Sequence, residues 1–185
     1  MEVREQLHVD FRAKCYLCEA KVPLGATEID HRRGRVPTSL IKDWSNLFPA
    51  CESCNSRRAK TYPPLLDPGF GVEWRIIQKF ETACFPVRAR FFAARDEDTK
   101  AVNAAAELNR LHNDVRPKGQ DMRAAISAQL LVVWEAVTKY ILVRGMGTQD
   151  ERDREDSVRF LVSRDAPYTM LVRSVVGPFV EHLFD

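Results

Sequence analysis

The sequence predicts an α+β fold in two parts: a hairpin-and-helix module over residues 1–68, then short strands and a mainly helical region over residues 69–185. Three observations carry that expectation. Four of the five cysteines fall early in the chain as two Cys-x-x-Cys pairs. The run Thr61–Gly71, rich in proline and glycine, cannot continue a helix and reads as the exit from the module. Beyond residue 99, apolar residues recur at i, i+3 and i+4, the period of a helix with one buried face.

With 185 residues, 45% of them hydrophobic and 29% charged, the chain is long enough for a core without disulfide staples. Its apolar runs, such as Leu130–Val133 and Leu161–Val162, fall far short of the roughly 20 residues a membrane span needs. The opening MEVREQLHVD alternates charge with apolar residues, so no signal peptide is expected. A cytoplasmic protein that meets no membrane follows. Residues 1–66 carry 11 basic and 8 acidic side chains, whereas residues 67–185 carry 17 and 18. The excess gathers at Arg32, Arg33 and Arg35 and again at Arg57, Arg58 and Lys60. Local basic clusters on a near-neutral chain suit a polyanion gripped at one place.

The cysteine pairs are Cys15-Tyr16-Leu17-Cys18 and Cys51-Glu52-Ser53-Cys54, with 32 residues between them. Each turn puts two thiolates on one side of a tight loop, and two turns complete the closed Cys₄ shell of structural Zn²⁺. Disulfides are disfavoured without an export signal, and a redox pair needs a βαβ context that is not visible. Cys84, alone, reads as a small buried side chain. The gap between the pairs is longer than the roughly 15–20 residues of a simple zinc ribbon, so something is inserted between the two halves of the site.

The insert reads Glu28-Ile29-Asp30-His31-Arg32-Arg33-Gly34-Arg35, then Trp44-Ser45-Asn46-Leu47-Phe48-Pro49-Ala50 before the second pair, with Asn55 directly after Cys54. This resembles the HNH nuclease motif, the ββα-metal fold. The resemblance puts Asp30-His31 at the end of one strand, Asn46-Leu47 on the next, and Asn55 on the helix. It also implies that Asn46 holds the hairpin loop and orients the His31 backbone.

Such an arrangement gathers the strand ends and the first helical turn at one place. Phosphodiester hydrolysis needs a base for water and a cation for the charge developing on the leaving oxygen. A neutral imidazole titrates near the working range, which makes His31 the expected base. Asp30 and Asn55 offer hard oxygen ligands suited to one Mg²⁺ or Mn²⁺. Many relatives have histidine at the third position, where softer ions are favoured; Asn55 points to the harder ones. Taken singly, Asn46 and Asn55 would read as turn and capping residues. The six basic residues Arg32, Arg33, Arg35, Arg57, Arg58 and Lys60 are expected to contact phosphates without reading sequence.

The run Trp44 to Lys60, followed by Pro64-Leu-Leu-Asp-Pro68 and a later Ala-Glu-Leu-Asn-Arg110 segment, is similar to the HNH subunit of Septu-type and retron-associated anti-phage systems. That likeness implies an ABC-like ATPase partner and nucleic acid as substrate, DNA foremost, with tRNA in some cases. Relatives have Glu-His before an aromatic residue where this chain has Asp30-His31-Arg32. The competing reading is a non-catalytic zinc-finger subunit that binds nucleic acid or protein.

In the second part, Val72–Phe80 and Phe85–Ala93 read as strands, from aromatic and β-branched content. Thr99 is expected to cap a helix to about Asn113, and Asp121 to open another to about Val143. The polar span from Gly145 precedes a helix expected to start near Asp156 and end near Val162. A last helix, with Pro167 in its first turn and a kink at Gly177-Pro178, carries Leu171, Val172, Val175, Val176, Phe179 and Val180 on one stripe. These helices are expected to form the supporting core, with part of the last stripe available to a partner. His112 and His182 have no second ligand at metal spacing and read as structural or exposed.

Overall fold

The structure, a computed structural model, describes residues 2–59, 63–68, 72–81 and 86–184. Lys60 and Cys84 lie outside the described residues, as does much of the segment between 60 and 71. The fold is α+β, with two two-stranded antiparallel sheets among the described residues and a helical second half.

A short helix α1 (Val3–Asp10) comes first, closed by a reciprocal capping box between Glu2 and Glu5. The sequence gives it little signal, since Leu7 is its single buried residue. The first Cys-x-x-Cys turn follows. Then β1 (Thr27–His31) pairs with β2 (Leu47–Cys51), placing Thr27 opposite Cys51 and His31 opposite Leu47. Helix α2 (Glu52–Arg57) starts immediately, with the Cys51 sulfur as its N-cap, accepting the Cys54 amide at 3.4 Å. Strand, strand and helix are thus adjacent in sequence and in space.

The second half departs from expectation at its element starts. Val72–Arg75 is a short helix, α3, and the strand begins only at Ile76, running as β3 (Ile76–Glu81) against β4 (Arg88–Ala93). Helix α4 (Thr99–His112) is capped by Asp98, whose carboxylate accepts from the Ala101 amide, so Thr99 is already inside the helix. Helix α5 (Pro117–Ile141) opens a turn early because Pro117 sits at its first position, where a missing N–H costs nothing. Helix α6 (Gln149–Val162) starts at Thr148, whose hydroxyl caps Glu151. Its polar first half reads as loop in the sequence; the ion pairs Arg154–Asp150 and Arg159–Glu155, one turn apart, support it as helix. Helix α7 (Thr169–Val180) contains Pro178 and passes into a 3₁₀ turn at Glu181–Leu183.

Ile126, Leu130, Val133, Val137 and Tyr140 of α5 are buried, as are Val158 and Val162 of α6 and Leu171, Val172, Val176 and Val180 of α7. By length and composition, α5 reaches the range of a membrane span, with a mean hydropathy of 1.2 over 18 residues, unlike the shorter runs visible residue by residue. A third of that stretch is buried within the fold.

The two parts share one core. The cluster that contains Cys15, Leu17 and Ala50 continues through Leu111, Val133 and Val180. Polar ties reinforce it. The amides of Tyr168 and Met170 donate to the backbone oxygen and the carboxylate of Glu19, and Lys14 Nζ donates to Thr169 Oγ1 at 2.8 Å.

Candidate active site and zinc centre

The first knuckle closes because Glu19 takes a left-handed conformation, φ 58°, directly after Cys18, and its amide donates to the Cys15 carbonyl at 2.8 Å. The Tyr16 amide donates to Pro49 O at 2.9 Å, which docks this knuckle on β2 beside the second one. All four sulfurs of Cys15, Cys18, Cys51 and Cys54 therefore lie within 4.8 Å of one another, and Cys18 and Cys51 are 3.9 Å apart. A tetrahedral zinc with Zn–S near 2.3 Å separates its sulfurs by about 3.8 Å, so the donor set fits the ion in number, type and spacing. Hydrogen bonds from the other three sulfurs and burial push the Cys18 thiol up, whereas the same neighbours pull Cys51 down. Four crowded sulfurs hold a shared set of protons; a dication lets all four become thiolates.

Asp30 and His31 end β1, 5% and 9% exposed. The His31 Nε2 lies 3.2 Å from the Ile41 carbonyl oxygen, which can only accept, so Nε2 carries the proton and the lone pair is on Nδ1. The exposed Arg35 donates through Nε to that Nδ1 at 3.3 Å. Asn46 is fully buried and spends its amide on the hairpin loop. Its Nδ2 donates to Gly34 O and Leu40 O, both at 2.9 Å, and its Oδ1 accepts the Arg33 amide at 2.6 Å. Its backbone oxygen also accepts the Arg32 amide at 2.9 Å. Gly34, at φ 80°, supplies the left-handed turn this loop needs.

The two oxygen donors expected to share a cation are engaged separately. Asp30 Oδ2 accepts from the Tyr16 hydroxyl and from Arg58 Nη1, a buried ion pair. Burial and the Asp30 charge hold Tyr16 well above the usual phenol range, so it remains a donor. Asn55 donates through Nδ2 to Glu28 Oε2 at 2.6 Å. Glu28 and Tyr16 are thus members of this site that the motif reading missed. Glu28 stands two residues before Asp30, on the same side of β1, and that alternation was the available signal.

The basic residues divide by exposure. Arg58 and Arg57 have side chains only 4% exposed. Arg57 donates to Leu111 O at 2.7 Å and pairs with Asp114, tying α2 to α4. Arg32 donates to Leu65 O at 2.9 Å and stacks over Phe48. A cluster that the sequence presents as a charged face is turned inward, because carboxylates and carbonyls of the second half meet it there. Arg33, paired with Asp43, and Arg35 are on the surface.

Residues 15–61 match the family model for HNH endonuclease. They hold an HNH endonuclease domain. The span covers both knuckles, the hairpin and α2, and stops before the helical half. No curated protein and no solved structure matches the chain. The HNH domain thus coincides with the part of the fold in which sulfur, imidazole and carboxamide groups are brought together.

Proposed function

We propose that this chain is a metal-dependent endonuclease that hydrolyses phosphodiester bonds in nucleic acid, DNA foremost and tRNA as the second candidate. Its proposed setting is anti-phage defence, beside an ABC-like ATPase subunit of the kind found in Septu-type systems. The observation that carries the catalytic reading is the fixed tautomer of His31 inside an HNH domain. The Ile41 carbonyl holds Nε2–H, leaving the Nδ1 lone pair as the only basic position of the ring. His31 Nδ1 takes the proton of the attacking water. Arg35, which now donates to that nitrogen, is exposed and suited to exchange this contact for a phosphate oxygen. Asn46 positions: it holds the loop from which both His31 and Arg35 act.

Asp30, Glu28 and Asn55 form the oxygen-donor set that would hold Mg²⁺ or Mn²⁺. Their chemistry fits a hard cation, and the buried Asp30 already stands against a positive charge, that of Arg58. When bound, such an ion neutralises charge on the phosphate and the leaving oxygen. The Arg58–Asp30 pair also favours a second reading, a non-catalytic zinc module, because the carboxylate is neutralised without any metal.

The test is incubation of the zinc-loaded protein, and of His31→Ala, with plasmid DNA and with bulk tRNA in Mg²⁺ or Mn²⁺, with and without EDTA. Cutting that needs the metal and falls by about 10²–10⁴-fold in the variant supports catalysis and names the substrate. Equal activity of the two proteins, or none in the presence of a co-purified ATPase, supports the second reading.

A further inference from the structure

A cavity of about 340 Å³ lies where the first knuckle meets β3, β4, α4 and the start of α7, away from His31. That volume is within the range of small-molecule sites. Leu17, Val72, Phe91, Leu108 and Leu171 give it apolar walls. Two buried polar atoms of its lining residues have no hydrogen-bond partner: His112 Nδ1 and Gln78 Oε1. His112 is 1% exposed, and its Nε2 lies 3.3 Å from the Leu17 carbonyl oxygen, so the proton is on Nε2 and Nδ1 is a bare acceptor. Burial lowers His112 to about 4, which keeps the ring neutral. Gln78 Oε1 is likewise an acceptor. Leaving two such atoms unpaired costs roughly 1–3 kcal/mol each, which a donor inside the cavity would recover. The charged residues around the cavity are mostly cationic: Arg12, Lys14, Arg164 and Arg173, against Asp10 and Glu19.

We propose that this cavity binds a purine mononucleotide, its exocyclic amino group donating to His112 Nδ1 and Gln78 Oε1 and its phosphate directed to the cationic rim. A flat heterocycle suits walls of Leu and Phe, and an amino group supplies the donors that the two acceptors lack. A ligand without donors leaves both acceptors unpaired; one without an anion gains nothing from the rim. Tyr16 also lines the cavity while its hydroxyl donates to Asp30, so an occupant touches a residue of the HNH domain. The binding claim does not depend on cleavage.

The test is titration calorimetry of the full-length, zinc-loaded protein with AMP, with GMP, and with purine riboside 5′-monophosphate, which lacks the amino group. Saturable binding of AMP or GMP is expected, weakened about ten-fold or more for the amino-free analogue and in Gln78→Leu. Leu108→Trp, which fills the cavity, should abolish binding, while zinc content and melting temperature report that both variants fold. His31→Ala should bind as the unsubstituted protein does, which separates this site from the nuclease centre. No binding of AMP or GMP overturns the proposal and leaves the cavity to water. Binding that survives Leu108→Trp and Gln78→Leu overturns it too, since the nucleotide then sits elsewhere.

Discussion

The HNH domain and the helical half solve the same problem with different chemistry. The domain is built on discrete directional contacts: four sulfurs converging on one point, Asn46 lacing the hairpin loop, and Asp30 held between Tyr16 and Arg58. Its apolar contribution is modest, with Leu47, Phe48 and Ala50 on β2 and little on β1. The helical half rests on aliphatic burial, where Val133, Val137, Val158, Val162, Val172 and Val180 are fully buried. The difference teaches where each part should fail. A set of ligands is lost as a unit when one member goes, whereas a packed core loses stability in proportion to the atoms removed.

Four substitutions separate these behaviours. The largest effect is expected for Cys51→Ser, which removes a zinc ligand and the sulfur that caps α2. Zinc per chain measured by atomic absorption should fall well below one, with loss of the cooperative thermal transition of the domain, and a strong chelator should reproduce this in the unsubstituted protein. Retention of full stability without zinc would break the comparison. Next is Ile126→Ala in α5, which should lower stability by about 2–5 kcal/mol in denaturant titration and leave zinc content unchanged.

A smaller and pH-dependent effect comes from His112, where the two parts meet. Burial lowers its pKa to about 4 from the ordinary 6.5, so between those values the unfolded chain binds a proton that the folded protein does not. Stability conferred by the neutral ring is therefore present above pH 6.5 and declines toward pH 4, by roughly 3 kcal/mol at most. Denaturation midpoints at pH 7 and pH 5 should show a shallower loss in His112→Gln than in the unsubstituted protein. Zinc release acts in both and cancels in that difference. The smallest shift is expected for Arg58→Gln. Removing the cation beside Asp30 should tighten Mn²⁺ binding several-fold, read as free Mn²⁺ by electron paramagnetic resonance; unchanged or weaker binding would mean that Asp30 holds no metal.

Legibility followed the same division. The Cys₄ cluster was readable because ligand number and spacing are local requirements, written in residue types that do little else at that spacing. The order Asp30-His31, Asn46, Asn55 was readable for the same reason. The stripes of α5 and α7 were also visible, since a helix repeats its buried face every three or four residues. The starts of α4, α5 and α6 were not, because Asp98, Pro117 and Thr148 act through backbone amides that a hydrophobic pattern does not register. The helix at Val72–Arg75 was read as strand because its residue types fit both.

By itself the sequence determined that two cysteine pairs would frame a hairpin and a helix, and that a helical half would follow. Both follow from short-range spacing, which survives in one dimension. Only the tertiary structure decided what the charged residues do. Arg57 and Arg58 stand side by side in a basic run, yet one reaches Asp114 and the other Asp30, because those carboxylates arrive from distant segments. The tertiary fold likewise paired Asn55 with Glu28 and left His112 and Gln78 as bare acceptors around one cavity. A partner's identity depends on how separate elements pack, and burial then makes that pairing obligatory, since an unpaired charge away from water costs more than the fold can spare.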